Sequence, residues 1–445
     1  MDTRKIDART AAYQSLIACE RDKKYSNLEI DAVIRRHRLE GAEKGLYTTL
    51  TYGVIEMRIT LDYLISRLSS KPVEQIDPEA RTLLRMGLYQ LIRLTRIPER
   101  AAVSETVNLA KKFAPRAASF INAVLRSFLR QMDRDNLPHP DKNDRIRYLS
   151  VRYSVGEDAA AILDAAYPDA EEILAAFSHQ PPVTLRVNTL KISREELLAR
   201  LTADGIAAEA CRYSPFGVKL ENATISSEIS ELISAGFVYI QDEASQLAVR
   251  FAAPEPGMTV IDTCACPGGK SFSAAILMEN RGIVKSFDLH KNKLSLIQKG
   301  AEKMGISIIE TAEKNGSVPD ETLTESADLV LCDVPCSGLG VIAKKPEIRY
   351  KSASEILRLP EIQYAILKNA ADYVKPGGAL CYSTCTLNPA ENEAVVRRFL
   401  AGTDAFAPEE FGMDGITSDG GMLTLMPHIH NTDGFFIAKF RKIKK

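Results

Sequence analysis

Residues 259–275 read TVIDTCACPGGKSFSAA, and the fold turns on this stretch. The apolar run Met258–Ile261 is strand-like, Pro267-Gly268-Gly269 demands a tight turn, and KSFSAA opens a helix. A strand, a glycine turn and a helix start form the opening unit of an open α/β sheet. Further short apolar runs follow at Gly282–Phe287, Ile306–Ile309, Asp328–Cys332 and Ala379–Tyr382. Helical stretches separate them, among them KNKLSLIQKGAEKMG (291–305) and SEILRLPEIQYAILKNAADYV (354–374). Buried strands alternating with amphipathic helices specify a doubly wound, mostly parallel sheet. MLTLMP (422–427) and GFFIAKF (434–440) leave no room for a crossover helix, so an antiparallel hairpin is expected at the end. Residues 241–445 are thus a Rossmann-like α/β domain.

Upstream the texture changes. After Pro181-Pro182, VTLRVNTL alternates like a strand. SREELLARLTADG reads as a helix capped by Ser193 and stopped at Gly205, and GVKLEN is strand-like again. Residues 181–240 therefore form a small α+β module. Residues 1–135 are helical. In FINAVLRSFLR, the side chains Ile121, Val124, Leu125, Phe128 and Leu129 make an apolar stripe, with Arg126 and Arg130 beside or opposite it. RTLLRMGLYQLIRL repeats the pattern with Leu84, Leu88 and Leu91, and sets Arg81 and Arg85 one turn apart. Pro72, Pro78, Pro98 and Pro115 punctuate the helices. Between bundle and module, residues 136–180 are a linker and helical connector, entered through the polar DNLPHPDKND (135–144). The chain is multidomain.

Composition narrows the class. Of 445 residues, 45% are apolar and 26% charged, a globular balance that argues against disorder throughout. No apolar run approaches the ~18–20 residues that span a bilayer. The opening MDTRKIDART has no apolar core of a signal peptide, and eight cysteines in so long a chain read as cytosolic thiols. A soluble cytoplasmic protein is expected, as a monomer. The net charge is −1, but residues 1–135 hold 24 Lys and Arg against 17 Asp and Glu, and the remainder 33 against 41. The basic front piece suits a polyanion, although a solvated helical surface explains the charge alone equally well.

Three motifs carry the chemistry. In the first, Gly268 and Gly269 let backbone approach a ligand at a helix N-terminus, and the strand GIVKSFDLH ends in Asp288, placed to accept from ribose hydroxyls. G-x-G-x-x-G and G-x-x-x-x-G-K-[ST] are both absent. A nucleoside cofactor without phosphates, S-adenosyl-L-methionine, fits the pair and both absences. A generic strand–turn–helix corner is the alternative. In the second, ADLVLCDVPCSGLG (327–340), a strand ends at Cys332-Asp333 and turns sharply through Pro335 and Cys336. In the third, PGGALCYSTCTLNPAENE (376–393), a strand ends at Cys385. Ligands bind at the carboxyl ends of strands in such sheets, so Asp333, Cys336 and Cys385 face one crevice. A four-cysteine zinc site is the rival, but Cys332 and Cys381 lie inside apolar strand runs, so no metal is expected. His428 and His430 lie in a turn between strands and read as structural or solvent-facing.

Two thiols beside a methyl donor suit methylation of carbon 5 of a cytosine ring. A thiolate that adds to carbon 6 makes the ring enamine-like, so carbon 5 attacks an electrophilic methyl group. The carbon 5 proton must then leave so that the thiolate is expelled, assisted by a second thiol or a water. Lys270 is a candidate to lower the nucleophile's pKa, and Asp333 to meet the cytosine edge. Methylation of an amino group needs no covalent thiol and favours an aromatic stacking loop, where this chain has Val334-Pro335-Cys336-Ser337.

CACPGGKS, DVPCSGLG and STCT resemble the cofactor, proline-cysteine and nucleophile motifs of RNA cytosine-5 methyltransferases. VYIQDEASQLAV is similar to the segment that packs ahead of the cofactor loop, LRVNTLK resembles the start of the family's small RNA-binding module, and INAVLR with AVSETVNLAKKF resembles a NusB-type RNA-binding bundle. The combination resembles the RsmB/Sun (Fmu) family, which modifies small-subunit (16S) ribosomal RNA, and the likeness covers nearly the whole chain. It implies S-adenosyl-L-methionine as donor and an RNA cytosine as acceptor. By position it also implies that Cys264, Ala265, Cys266, Pro267, Gly268, Gly269 and Lys270 embrace the methionine part, with Asp288 on the ribose. Asp333 would stand near donor and base, Cys385 would be the nucleophile, and Cys336 would help release product. Cys266 replaces the alanine of the common CAAPGGK pattern. IIETAEKNGS lacks the aspartate that usually meets the adenine amino group, so Glu313 is left unassigned to that contact.

A ring carbon inside a helix is out of a thiolate's reach, so the cytosine must be unpaired or flipped. The bundle and small module are expected to hold the RNA. The rivals are the same chemistry on transfer RNA and a non-catalytic NusB-like RNA-binding or transcription factor. Intact Gly268, Gly269, Asp288, Asp333, Cys336 and Cys385 argue against the latter.

Overall fold

The structure is a computed structural model that describes residues 6–22, 26–221, 225–413 and 415–444. Asn222, the end of GVKLEN, and the first five residues of MDTRKIDART lie outside that set. Two compact units emerge: Met1–Leu174 with Lys345–Ser352, and Ala175–Lys344 with Ala353–Lys445.

The first unit is helical. Its elements are Ala8–Asp22, Ser26–His37, Gly41–Glu56, Arg58–Leu68, Pro78–Arg93, Glu99–Phe113 and Ala118–Gln131. Ile121, Val124, Leu125 and Phe128 are buried as the stripe requires, whereas Leu129 at its edge is exposed, and Pro78 opens its helix, where a missing N–H costs nothing. Arg85 is buried despite its charge. It is 6% exposed, makes two 2.7 Å bonds to Asp62 and reaches Glu20, which Arg81 also contacts. Part of the basic surplus is therefore neutralised inside the bundle. The connector helices Arg145–Tyr153 and Glu157–Ala166 belong to this unit, as does the distant segment Lys345–Ser352. That segment is held by Arg349 donating to the Tyr153 carbonyl at 2.9 Å, and by Arg58 stacked 3.7 Å from the Tyr350 ring centre.

In the second unit the small module is a four-stranded antiparallel sheet, ordered β2-β3-β1-β4. The strands are β1 (Val183–Val187), β2 (Ala208–Ala210), β3 (Gly217–Leu220) and β4 (Val238–Ile240). Leu185, Val187, Val218 and Leu220 pack beneath the helices Arg194–Ala203 and Ser227–Ser234. The Ser193 side chain accepts from Glu196 N and completes a capping box, and Gly205 takes φ +72° just past the helix.

The large sheet follows as β5 (Thr259–Asp262), β6 (Ile283–Asp288), β7 (Ile309–Glu313), β8 (Ala327–Asp333), β9 (Val374–Thr384) and β10 (Phe406–Pro408). A small hairpin of β11 (Gly412–Met413) and β12 (Ile416–Thr417) precedes β13 (Met422–Leu425) and β14 (Phe435–Lys442). The order is β10-β14-β9-β8-β5-β6-β7, with β13 on β14. Strands β5 to β9 are parallel, and β14 runs antiparallel to β9 and β13. The chain steps from β5 outward to β6 and β7, then returns to β8 on the other side of β5. That reversal opens a crevice at the carboxyl ends of β5 and β8.

Two strand boundaries differ from the sequence reading. The run Ile306–Ile309 is not the third strand. Ile306 packs in the core before the strand begins, and β7 starts at Ile309 because parallel pairing aligns that residue with Val284. β9 begins five residues before Ala379, because Pro376-Gly377-Gly378 is a bulge: Ala327 pairs with Val374 but Leu329 with Ala379.

Candidate active site

The cofactor-type loop spans the carboxyl end of β5 and the helix Gly269–Leu277. Gly268 adopts φ +111°, and a Cβ there would fall 2.4 Å from the Phe272 ring, so that position tolerates only glycine. The glycine serves the turn and its packing, a stricter reason than the ligand approach expected from sequence. The loop is tied down by Ala265 N donating to the Phe287 carbonyl at 2.7 Å and Cys266 N to Asp288 Oδ2 at 3.2 Å. Beneath it Ser286 Oγ donates to Ser271 Oγ and Ser271 to Asp262 Oδ2, at 2.8 and 2.7 Å. Asp262 is fully buried, and burial pushes its carboxyl up to about 6.

Asp288, half-buried at the tip of β6, and Glu313, exposed at the tip of β7, are register neighbours. Loop, helix N-terminus and two carboxylates at adjacent strand ends suit a nucleoside with polar hydroxyl and amino groups. Cys264 is pushed up to about 12 by burial, so it stays a neutral thiol that contributes shape.

Lys270 and Asp333 meet across the crevice. Lys270 Nζ donates to Asp333 Oδ2 at 2.6 Å and to Ser245 Oγ at 3.1 Å, and Ser383 Oγ donates to Asp333 Oδ1 at 2.7 Å. Burial works against the ammonium, but the nearby acidic groups, Asp333 foremost and Asp262 after it, together more than offset it and hold Lys270 above the ordinary lysine range. Cys385 also favours that charge, though less than Asp333 does. Lys270 is therefore first the counter-ion of Asp333, and its action on the thiol is through space.

Cys336 and Cys385, at the carboxyl ends of neighbouring β8 and β9, have their sulfurs 3.2 Å apart. The hydrogen bond to Cys385, then burial, push the Cys336 thiol well above the ordinary range. Cys336 therefore keeps its proton, and an S–H directed at Cys385 Sγ would stabilise a thiolate there. Cys332 and Cys381 are 1% and 3% exposed, and burial holds both protonated. Among the described residues no group of three or more His, Cys, Asp or Glu side chains is placed to hold a metal. His430 Nδ1 accepts from Met426 N at 2.8 Å at the end of a short helix. Among the described residues, no helix is long and apolar enough to cross a membrane.

Sequence reasoning missed the scaffold of the cysteine loop. Buried Glu391 accepts from Ser337 N at 2.8 Å, Gln363 Nε2 at 2.8 Å and Asn388 Nδ2 at 2.9 Å, which fixes the residue after Cys336. Gly340 N donates to the Cys385 carbonyl at 3.0 Å, and Gly434 N to the Gly340 carbonyl at 2.9 Å, so the two thiol loops and the hairpin are strapped together. Lys344 closes the loop on Asp242 and Asp433. Glu391 lies inside the quoted third motif, but nothing in that motif marks it as buried. Nothing in sequence links residues 242, 344 and 433.

The family model described as "16S rRNA methyltransferase RsmB/F" matches residues 249–441, "NusB family" matches 6–130, and "Methyltr_RsmF/B-like, ferredoxin-like domain" matches 160–226. The chain is 39% identical to the "Probable ribosomal RNA small subunit methyltransferase B" of Bacillus subtilis, over 99% of each chain. This chain belongs to that methyltransferase family. The "Ribosomal RNA small subunit methyltransferase B" of Klebsiella pneumoniae is 32% identical over 92% of each chain. A solved "Methyltransferase Homolog Protein" of Pyrococcus horikoshii is 28% identical and covers 67% of this chain and 99% of its own, at a TM-score of 0.59. The methyl donor of the family is S-adenosyl-L-methionine, which suits the phosphate-free loop and the Asp288 carboxylate.

Proposed function

We propose that this enzyme methylates carbon 5 of a cytosine in 16S ribosomal RNA, in the cytoplasm and as a monomer, through a covalent bond from Cys385. The pair of thiols 3.2 Å apart beside Asp333 carries this reading. When bound, S-adenosyl-L-methionine supplies an electrophilic methyl group. The loop Cys264–Lys270 and Asp288 hold and orient it.

Cys385, as thiolate, adds to carbon 6 of the cytosine, and Asp333, held by Lys270 and Ser383, meets the polar edge of the base as charge builds there. Carbon 5 takes the methyl group. The carbon 5 proton passes to a water beside Cys336, its bonding pair restores the carbon 5–carbon 6 double bond, the bond from carbon 6 to sulfur breaks, and that bond's electron pair returns to Cys385 as thiolate. Cys336 suits a supporting role in that release, because its raised pKa keeps it protonated and its S–H can stabilise the thiolate re-forming on Cys385. A purely amino-directed methyltransferase has no use for either thiol. The test is mass spectrometry of nucleosides from unmodified ribosomal RNA treated with enzyme and donor. Methyl on ring carbon 5 is expected, and methyl on the exocyclic nitrogen or the ribose would refute the reading. Transfer RNA treated alongside is expected to stay unmodified.

A further inference from the structure

We propose that an open cavity in the helical unit, beside the segment Asp133–Asp144, holds one unpaired nucleotide of the RNA substrate remote from the reacting base. The proposal rests on the RNA reading above. The cavity measures about 840 Å³, enough for a nucleotide, and is lined by Arg67, Asn136, His139, Lys142, Tyr148 and Arg152 among others.

Its cations converge from three separate stretches: Arg67 from the helix Arg58–Leu68, Lys142 from the linker, and Arg152 from the helix Arg145–Tyr153. All three are exposed, and none forms an ion pair with a carboxylate among the described residues. Elsewhere in the unit Arg81, Arg85 and Arg145 are consumed by Glu20, Asp62, Asp164 and Glu171. Asp133 is the one carboxylate in the lining among the described residues, so the cavity is net positive and suits a phosphodiester.

The walls suit the rest of a nucleotide. Arg152 Nη1 donates to His139 Nε2 at 3.2 Å, which leaves the ring proton on Nδ1 and fixes the imidazole. Burial, then the Arg152 charge, lower the His139 pKa, so it presents a neutral ring. His139, flanked in sequence by Pro138 and Pro140, stands edge to face with Tyr148 at 6.3 Å, and Lys142 Nζ lies 5.5 Å from the Tyr148 ring centre. Asn136 offers both a donor and an acceptor to a base edge. A duplex keeps its bases inside, so a concave wall of rings and cations takes a single strand.

The test uses the full chain and an unmodified 16S ribosomal RNA transcript. Arg67→Ala, Lys142→Ala and Arg152→Ala are combined, and circular dichroism confirms folding of this exposed-site variant. The salt slope of log Kd is expected to fall by about 2, three single-strand contacts at ~0.7 each. KM for RNA should rise about tenfold, with kcat and the donor KM within about twofold of the unaltered chain. A control combining Arg96→Ala, Arg100→Ala and Arg116→Ala, exposed in the same unit but outside the cavity lining, should change KM by less than about twofold. RNA carrying 4-thiouridine should photocross-link to the peptide holding His139. An unchanged slope and KM, an equal effect from the control, or no cross-link at that peptide would each overturn the proposal. Methylation by the unaltered chain in the same assay separately tests the reading beneath it.

Discussion

Replacing Asp262 by asparagine should make the fold's stability less dependent on pH. Asp262 is fully buried under the cofactor loop, with Ser271 Oγ donating to Oδ2 and Oδ1 without a partner. Burial lifts its carboxyl from 3.8 to about 6. The native state then binds the proton more tightly than the unfolded chain, so stability is highest below pH ~4 as far as this group is concerned. It falls as pH rises through 6, by about 3 kcal/mol at 1.36 kcal/mol per pH unit. The asparagine side chain cannot ionise, and it retains an acceptor for Ser271. Any fixed cost of its amide is the same at every pH. The stability difference between variant and parent should therefore move by about 3 kcal/mol in the variant's favour between pH 3 and pH 7. In thermal melts followed by circular dichroism that is roughly 6–12 °C for a unit of this size. The relevant transition is the one raised by S-adenosyl-L-methionine. A difference that stays constant across this pH range would refute the claim that a buried, under-bonded charge sits beneath the loop. Such a charge is a stability cost tolerated at a working site.

Further substitutions probe the scaffold. A Cβ at residue 340 would lie 1.8 Å from the Gly434 carbonyl oxygen, so Gly340→Ala must part the cysteine loop from the hairpin. A fall in kcat of at least about tenfold is expected, with donor affinity by calorimetry retained. Lys344→Met leaves Asp242 and Asp433 facing one another, and denaturant melts should show a loss of about 3–5 kcal/mol. Glu391→Gln turns an amide toward donors that now meet a carboxylate, costing about 2 kcal/mol in the same melts and slowing turnover with an unchanged donor KM.

Much of this was legible in the chain. Alternating apolar runs and helices gave the parallel sheet, and two strands with no room for a helix gave the hairpin of β13 and β14. The apolar-run criterion failed at β7 because an edge strand carries polar residues such as Glu310 and Glu313. At β9 a proline–glycine cluster that normally marks a turn serves as a bulge. In the site, side-chain type and strand position brought Asp333, Cys336 and Cys385 together. Pairing was hidden, because Lys270 finds Asp333 across 63 residues and Glu391 finds Ser337 across 54. Such partners are chosen by three-dimensional proximity, which local pattern does not encode. The segment Lys345–Ser352 looked like part of the catalytic half because it lies between two of that half's strands, yet it packs with the helices.

The most direct measurement is the mass of the protein–RNA adduct formed by Cys336→Ala with unmodified ribosomal RNA and S-adenosyl-L-methionine, after denaturation and nuclease digestion. A methylated pyrimidine nucleotide attached to the peptide holding Cys385 is expected, and Cys385→Ala should yield neither adduct nor product. A denaturant-stable adduct on another residue, or full methylation by Cys385→Ala, would contradict the assignment of the attacking sulfur.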